Sequence, residues 1–386
     1  MQDPWGIRGP GSYTYSLCNA LYDYGLDVHL VTNKYYEYDK LSHFKVIKIF
    51  FRYSEKMKTN KIRKIIRGIE YITNMTSLLR IYLNEKPDII HIQWLLLYQF
   101  DFLWLKILRF ILRKSKTQLV LTAHDVLPHV EGHKYRGILL KIYSQFDAII
   151  VHSESLKSQV YNVFGESAKN WIIKVIPSGN QDVFSKKVKM EEVESHMDLI
   201  KRKSCGRSFL FAGIIHKSKG LDLLLQAWER HIKDFQDDVL YIVGKPQYDI
   251  RNELKFVREK LNESVRVSLG YKSDEEMFAY YLSTDFVVLP YKEASQSGVL
   301  LTALTLGKPV IVTDVGALPE TVKLVNGGYV IPPNDSVSLA DALNRASKVP
   351  YEILEKWGSE IRTRAVENFS WDKIANKTLK LYKEVL

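Results

Sequence analysis

The sequence lacks the features that mark several protein classes. Its two cysteines, Cys18 and Cys205, are too few for a disulfide framework and fit a reducing compartment. Its 20 glycines and 12 prolines exclude collagen-like and low-complexity material. No run reaches the roughly 20 uninterrupted apolar residues of a membrane span. Met1 is followed by neither a basic start nor an apolar run, as a signal peptide would require. These absences together predict a cytoplasmic protein.

The composition that remains is that of a folded chain with a basic first half. Of the 386 residues, 46% are hydrophobic and 26% are charged, which suits two domains of ordinary size. Residues 1–185 hold 25 Lys and Arg against 16 Asp and Glu, whereas the remainder holds 30 against 28. A basic half indicates an anionic partner, such as nucleic acid, acidic lipid or a phosphorylated substrate, or else serves solubility alone.

Short apolar, β-branched runs alternate with segments of helical length. The predicted strands are 26–33, 44–51, 88–94, 118–124, 148–153, 172–177, and then 208–215, 239–244, 265–270, 285–291 and 309–314. Nearly continuous apolar strands separated by helices indicate parallel sheets covered on both faces. Because the pattern occurs twice, we predict an α/β protein of two doubly wound, Rossmann-like domains with a cleft between them. The predicted domains are 1–180 and 181–370, with the helix 371–386 packing back on the first.

The start of the chain departs from this pattern. A glycine-containing loop over 5–12 precedes a helical stretch over 13–24. A doubly wound domain normally begins with a strand that feeds such a loop. We therefore expect the first sheet to lack its opening strand, either natively or because that strand precedes residue 1 in a longer chain.

Two strand-to-helix junctions of the second half carry candidate site residues, because ligands of open parallel sheets bind beyond the strands' carboxyl ends. Lys219 lies just before a predicted helix, where free N–H groups and the helix dipole favour an anion. Ser297 and Gly298 form an N-cap and first turn after another strand. Two such helix starts on one edge suit a diphosphate. The alternative for Lys219 is an ordinary solvated loop lysine.

Two further polar residues lie near the predicted ligand edge. The carboxylate of Glu293 would repel a phosphate, so we expect it to accept hydrogen bonds from sugar hydroxyls or to face positive charge that develops in a transition state. The alternative is that Glu293 caps a helix or faces solvent. His124 ends the strand 118–124, where a catalytic and a structural role are about equally expected.

At this point the residues match a family. The chain resembles the retaining glycosyltransferases of family 4, which have the GT-B architecture and use nucleotide-sugar donors. The resemblance covers nearly the whole chain and rests on the order and spacing of its motifs, which are the glycine loop 9–12 with GLDVHLVT, PDIIHIQW, TAHD, DAIIVHSES, VIPSG, FLFAGI with KGLDLLLQAW, EASQSGVLLTALTLGKPVIVTDVGALPE, GGYVIPPND and ENFSWDKIANKTLKLY.

The resemblance implies roles for particular residues. Lys219 would hold the donor phosphates, Glu293 and His124 would contact the donor sugar, and these three form the predicted catalytic set. The predicted donor-binding set is Gly11, Gly213, His216, Lys219, Glu293, Ser297, Gly298, Val299 and Thr302. Glu320 would be a supporting residue. The first domain would face the acceptor, a saccharide or a lipid-linked molecule, and the second would bind the donor.

Two positions depart from the family's pattern. Ile214 stands where the family commonly has Arg, so His216 or Lys217 would have to supply that charge. Thr302 stands where a Glu usually binds the ribose, so that contact would be altered. No Asp-x-Asp pair occurs in the sequence, which agrees with a metal-independent mechanism that needs no cofactor.

Alternatives within and outside the family remain open. A non-catalytic nucleotide-sugar-binding subunit fits the two departures, and a nucleotide-sugar 2-epimerase of the same fold would need carboxylates in its cleft. A nucleic-acid-binding protein would need base-reading or stacking motifs, which the sequence does not show, so we expect no nucleic-acid partner.

The first half also carries a membrane-like pattern. Residues 52–67 contain seven basic residues beside isoleucines at helical spacing, and residues 102–116 combine Lys106, Arg109 and Arg113 with Trp104 and aliphatic residues. Such mixtures are typical of helices that lie in a lipid interface. We therefore expect peripheral contact with an anionic membrane, at the inner face of the cell membrane. The alternative is that the apolar residues pack on the sheet.

Overall fold

The chain forms two compact α/β units in the computed structural model, which describes residues 1–6, 8–58, 61–128, 132–180, 188–200, 206–261 and 263–386. The first unit comprises Met1–Gly179 and Trp371–Leu386, and the second comprises Asn180–Ser370. The chain therefore leaves the first unit after Gly179 and returns to it for its last helix. Cys205 and both ends of the charged stretch 185–204 lie outside the described residues.

Seven parallel strands build the sheet of the first unit, in the order β3-β2-β1-β4-β5-β6-β7. Their central members β1, β4 and β5 are buried except at the first residues of β4 and β5, as expected for strands covered on both faces. The strands are β1 Gln2–Asp3, β2 His29–Asn33, β3 Lys45–Phe50, β4 Ile89–Ile92, β5 Gln118–Thr122, β6 Ala148–Val151 and β7 Ile173–Val175.

Helices cover this sheet and bury aromatic and aliphatic side chains against it. They are α1 Arg8–Asp23, α2 Lys61–Glu85, α3 Tyr98–Leu112, α4 Gly132–Tyr143 and α5 Glu154–Phe164, joined by the C-terminal helix Trp371–Val385, which is α14 in chain order. Among the described residues, no helix combines the length and the apolar character needed to cross a bilayer.

The expectation of a missing opening strand is wrong. Gln2 and Asp3 form β1, which pairs in parallel with β2 and with β4 at the centre of the sheet. The strand escaped prediction because it has two residues, both polar, and Pro4 follows, so it gives no apolar run. Both side chains are buried and bonded: Gln2 accepts from the hydroxyl of Tyr82, and Asp3 accepts from the hydroxyl of Thr14.

The first helix also begins earlier than predicted. Residues 9–12, expected to be a loop, belong to α1, and the loop after β1 is shorter. Gly11 permits this arrangement, because a Cβ there would lie 2.7 Å from the backbone of Gly6. The Asp3 carboxylate fixes the same loop by accepting from the N–H groups of Trp5 and Gly6.

The second unit holds six parallel strands in the order β10-β9-β8-β11-β12-β13. The strands are β8 Ser208–Ile215, β9 Val239–Pro246, β10 Val265–Leu269, β11 Phe286–Leu289, β12 Val310–Thr313 and β13 Gly328–Ile331. The last of these was not predicted, although all eleven predicted strands are present with adjusted ends. The helices are α6 Met190–Ile200, α7 Leu221–His231, α8 Arg251–Phe256, α9 Asp274–Ser283, α10 Gly298–Thr305, α11 Leu318–Val325, α12 Ser336–Ser347 and α13 Tyr351–Phe369.

We predict that Gly179→Ala destabilises the first unit where the chain returns to it. A Cβ at Gly179 would lie 2.4–2.6 Å from the indole ring of Trp371, which itself packs edge-on against Tyr13. A rigid ring cannot yield as a flexible side chain would, so we expect a loss of about 1–3 kcal/mol in the free energy of unfolding. Denaturant titration measures it.

Gly137→Ala is the matched control, because a Cβ there meets nothing within 4 Å and the residue lies in α4. That change should be neutral or stabilising by up to about 1 kcal/mol. Equal stability of the two variants would contradict the packing argument.

Candidate functional site

The candidate site of the second unit begins at the close contact of two strands. Gly244 of β9 packs on Gly213 of β8 so tightly that a Cβ on Gly244 would lie 1.8 Å from the Gly213 carbonyl oxygen. A Cβ on Gly213 would in turn lie 3.2 Å from the Val299 side chain of α10. Both glycines have φ values, +107° and +139°, that favour glycine. Gly213 therefore lies directly beside the first turn of α10.

The loop after β8 turns at His216. Its Nδ1 accepts from the backbone N–H of Ser218 at 3.3 Å and lies 3.0 Å from the Ser218 hydroxyl. Since Nδ1 accepts from an N–H, the proton of the neutral ring is on Nε2, which is left as a donor on an exposed side chain.

The loops after β8 and β11 are held together by backbone contacts. Gly220 has φ +70°, and a Cβ there would lie 2.0 Å from the carbonyl oxygen of Pro290. The N–H of Lys292 donates to the carbonyl of Ser218 at 2.7 Å, and its ammonium group pairs with Asp222 at 2.7 Å. The two predicted junctions are therefore parts of one site.

The loop after β12 adds a third junction on the other side. Gly316 has φ +54°, and a Cβ there would lie 1.8 Å from the carbonyl oxygen of Ala294. The N–H of Ala317 donates to the carbonyl of Ser295 at 3.1 Å. The loop 290–297, which carries Glu293, is thus held between its two neighbours. Glu320 lies in the first turn of α11, which follows the third junction.

Helix α10 presents unpaired N–H groups at this loop. Ser297 caps the helix by accepting from the N–H of Leu300 at 3.2 Å. The N–H groups of Gly298 and Val299 precede the first intrahelical bond and have no acceptor among the described residues. A Cβ at Gly298 would meet nothing within 4 Å, so this helix start is open to a ligand.

Lys219 supplies a half-buried positive charge beside that helix start. Its Nζ lies 3.7 Å from the centre of the Tyr291 ring, whose hydroxyl is 3.3 Å from the Ser297 Oγ. Burial lowers the pKa of Lys219 to about 8. Within the described ranges no carboxylate pairs with it, whereas Lys292 on the neighbouring loop is paired. The Lys219 ammonium group therefore remains available for an anion.

The other predicted site residues of this unit differ in whether their side chains are already bonded or packed. The Glu293 side chain is exposed and bonds to none of the described residues. The Thr302 hydroxyl donates to the Gly298 carbonyl at 2.9 Å, so it is already engaged. Ile214 is 57% exposed, which shows that no buried packing requires an apolar residue there.

In the first unit, His124 lies in a cluster at the carboxyl ends of β4, β5 and β6. Its ring stacks on Trp94 with centroids 4.4 Å apart, and Tyr13 of α1 meets it edge-on at 5.1 Å. Its Nε2 lies 3.0 Å from Gln93 Oε1, and its Nδ1 lies 3.1 Å from His152 Nε2. Burial lowers the pKa of His124 well below its usual value.

The partners of His124 were not singled out from the sequence. Gln93, Trp94 and His152 stand in the motif strings, and each lies at the carboxyl end of a predicted strand, 88–94 or 148–153, which is the signal that could have found them. A cavity of about 90 Å³ opens next to the cluster within this unit, lined by Trp94, Tyr98, His124, Asp125, Leu139 and Tyr143 among others. Gly11 lies apart from the cavity lining, and its close contact is with Gly6.

Models of glycosyltransferase families match both halves of the chain. A family model described as Glycosyltransferase Family 4 matches residues 7–180, and one described as Glycosyl transferases group 1 matches residues 206–348. The chain belongs to family 4 of the glycosyltransferases. The site described above therefore lies in the part of the chain that the group 1 model matches.

Individual relatives share less than a third of their residues with this chain over the matched regions. An uncharacterized glycosyltransferase of Methanocaldococcus jannaschii is 29% identical over 61% of this chain, and a phosphatidyl-myo-inositol mannosyltransferase of Mycobacterium leprae is 26% identical over 56%. The matched regions span 59% and 57% of those two proteins.

The fold is shared with solved structures. Anabaena HepE, crystallised in complex with UDP-glucose, superposes with a TM-score of 0.72 and 15% identity, covering 99% of this chain and 98% of that one. The two parallel sheets with their helices are thus those of the GT-B fold.

We predict that the affinity of the second unit for a nucleoside diphosphate falls as the pH rises through about 8. Lys219 is protonated below its pKa of about 8 and neutral above it, so its attraction for the diphosphate is lost on the alkaline side. Between pH 7 and pH 9.5 the dissociation constant should rise on the order of tenfold. Isothermal titration calorimetry with UDP, GDP and ADP measures it.

Lys219→Arg is the control, because a guanidinium group stays charged over this range. It reports any titration of the nucleotide itself. A wild-type pH dependence equal to that of Lys219→Arg would rule out Lys219 as the titrating group.

Proposed function

We propose that this chain is a retaining glycosyltransferase that moves a sugar from a nucleotide-diphosphate sugar to a saccharide or lipid-linked acceptor. The observation that carries the proposal is the unpaired Lys219 ammonium group beside the open first turn of α10, in a chain that belongs to glycosyltransferase family 4. The acceptor side is assigned to the first unit and the donor side to the second.

The diphosphate is proposed to bind at Lys219 and the first turn of α10. The free N–H groups of Gly298 and Val299 and the positive end of the helix dipole offer hydrogen bonds and partial charge, and Lys219 adds a full charge. These groups are fixed by the three joined loops before the ligand arrives. Such preorganised charge also stabilises the departing nucleotide diphosphate, without a divalent metal being required.

Glu293 and His124 are each proposed to contact sugar hydroxyls. The free carboxylate of Glu293 suits hydrogen bonds from sugar hydroxyls, which are stronger when the acceptor is ionised. The donor complex of Anabaena HepE supports a nucleotide sugar as the ligand class. Retention of configuration follows family resemblance: the acceptor attacks from the face that the diphosphate leaves, and the leaving phosphate takes the acceptor's proton.

We predict that Lys219→Ala and Glu293→Gln each lower transfer at least about a hundredfold with little change in thermal stability. Each side chain lies on a loop and packs in no hydrophobic core, so the loss should come from donor binding and transition-state charge. Sugar transfer to a mixed acceptor pool, assayed in EDTA, measures it. Lys233→Ala, at an exposed lysine just past the end of α7 that lies away from the site, should retain activity.

Two outcomes would contradict this assignment. One is near wild-type turnover in both variants, and the other is a strict requirement of the wild type for added Mg²⁺ or Mn²⁺.

A second candidate, a nucleotide-sugar-binding subunit without turnover, is favoured by Ile214 and Thr302. The first is exposed and uncharged where family members carry Arg, and the second has its hydroxyl bonded to Gly298. Binding of a donor in the calorimeter with no transfer and no donor hydrolysis would support this candidate.

We further propose that α2 and α3 dock the first unit on an anionic membrane. Helix α2 exposes Ile62, Ile65, Ile69 and Ile72 along one stripe, with exposed fractions of 43–64%. Helix α3 exposes Leu103, Ile107 and Phe110, of which Phe110 is 64% exposed. The hydroxyl of Tyr71 on α2 donates to Asp101 on α3, so the two helices lie side by side.

The basic residues divide into paired and exposed groups. Arg63 and Arg67 pair with Glu55, and Arg109 pairs with Asp147, so these three serve the fold. Trp104 is buried too, contrary to the expectation that it lies among the surface residues. Lys61, Lys64, Lys106, Arg113 and Lys114 are exposed around the apolar stripes. An apolar stripe bordered by lysines suits an anionic bilayer, at roughly 1 kcal/mol for each basic residue.

We predict that the protein sediments with vesicles containing anionic lipid, and that high salt weakens this binding. Ile65→Glu combined with Phe110→Glu should reduce the bound fraction several-fold, because both changes place a negative charge, which anionic lipid repels, on the docking face. Leu199→Glu is the control, because it makes the same type of change at a leucine of α6 that is 76% exposed. Binding that ignores lipid charge, salt and the double variant would assign the basic face to solubility or acceptor recognition.

A further inference from the structure

Two histidines of the first unit lie end to end between two oxygen atoms. His152 Nδ1 lies 2.9 Å from the carbonyl oxygen of Ile176, and His152 Nε2 lies 3.1 Å from His124 Nδ1. His124 Nε2 lies 3.0 Å from Gln93 Oε1. The two rings are tilted with centroids 5.0 Å apart, and Tyr13 packs edge-on against both.

Counting protons along this row reveals a conflict. A carbonyl oxygen only accepts, so His152 Nδ1 must carry a proton. If Gln93 presents its amide oxygen to His124, then His124 Nε2 must carry one as well. The contact between the rings needs a third proton, but two neutral imidazoles hold only two. The row therefore either carries a positive charge or has the Gln93 amide turned the other way.

The surroundings favour the neutral row. Burial lowers the pKa of His152 to about 4 and that of His124 well below its usual value. His152 and then His91 lower the pKa of His124 further, while the Ile176 carbonyl and then the Asp125 carboxylate raise that of His152 by less than burial lowers it. Tyr13 is buried and uncharged, because burial raises its pKa above the ordinary value. Tyr13 therefore supplies no compensating anion at neutral pH.

We propose that His152 is a positioning residue that fixes the proton of His124 on Nδ1 and leaves its Nε2 as a hydrogen-bond acceptor. In the neutral row His152 uses its one proton on Ile176, so its Nε2 can only accept, and His124 must donate through Nδ1. The Gln93 amide then turns its NH₂ group to His124 Nε2. The catalytic consequence rests on the proposed function: a sugar hydroxyl that replaces the Gln93 amide would donate to this Nε2.

The direction of the row extends to the C-terminal helix. With its NH₂ group turned to His124, Gln93 gives up its N–H contact with Met1 Sδ at 3.0 Å and presents its oxygen to His91 Nε2, which lies 3.3 Å from that end of the amide group. His91 then donates through Nε2, and its Nδ1 accepts from the hydroxyl of Tyr382 on α14 at 2.6 Å. The bonds from Gln93 to Ile176 therefore point one way, because the last acceptor is a carbonyl. At His91 the Nε2 atom also lies 2.7 Å from the Thr122 hydroxyl, which shares its proton with the Gln93 oxygen.

The ring ¹⁵N signals of the wild-type protein test this assignment without any turnover. At pH 7.5 we expect His124 and His152 each to show a protonated Nδ1 and an unprotonated Nε2. A protonated His124 Nε2, or two protonated nitrogens on either ring, overturns the proposal. This result stands apart from the proposed function, since it is obtained equally from an inactive protein.

Variants connect the spectroscopic signature to the reaction. His152→Phe keeps a ring but removes both nitrogens, so we expect the proton of His124 to move from Nδ1 to Nε2. We expect kcat to fall about tenfold while the donor KM changes less than twofold, as for a group that acts on orientation. His133→Phe, an exposed histidine of α4, is the control and should change neither.

A failure of His152→Phe to fold would leave the wild-type spectrum as the deciding measurement. Tyr382→Phe, which removes the first donor of the row, should then loosen the tautomer preference of His91. If His152→Phe folds and leaves the His124 signals unchanged, His152 does not set the proton of His124, and the proposal fails.

Discussion

The close approach of backbone to backbone at the carboxyl edge of the second sheet is the constraint on which the site depends. At Gly244, Gly220 and Gly316 a Cβ would lie 1.8–2.0 Å from a carbonyl oxygen of the neighbouring element, so each contact exists only because no side chain is present. These contacts join the loops after β8, β11 and β12 into one structure. Lys219 and the first turn of α10 are therefore held by the main chain.

This rigidity explains why a charge can remain unpaired. Burying a lysine without a partner costs free energy, and the lowered pKa of Lys219 expresses that cost. In a mobile loop the side chain would turn to solvent or to a nearby carboxylate, as Lys292 does with Asp222. The joined loops hold it over the Tyr291 ring instead. A bound anion would offset that cost, and this gain would contribute to the affinity for the anion.

The sequence allowed the strands and the second-unit site to be predicted, because their signals are local. A buried strand is an apolar run, and a junction residue follows such a run directly. β1 and β13 were missed because they are short and begin at polar residues or glycine, and their place is decided by pairing with distant strands. The ion pairs of Arg63, Arg67 and Arg109 were missed for the same reason, since each partner lies on another element or loop. Each residue of the histidine row stands at a strand end, which is a local signal, but the contacts that make the row join residues after four different strands and have none.

The state of these histidines bears on where the first unit attracts anions. Residues 1–185 carry a net charge of +9, yet burial lowers the pKa of His91, His124 and His152, so the polar cluster at the sheet edge adds no positive charge at neutral pH. The arginines nearest the fold's interior are neutralised by carboxylates. The unpaired charge therefore lies on surface lysines and arginines, many of them bordering the apolar stripes of α2 and α3. A small phosphorylated molecule would need charge inside a pocket, whereas an extended anionic surface needs it spread over an exposed face. The distribution found here fits the extended surface.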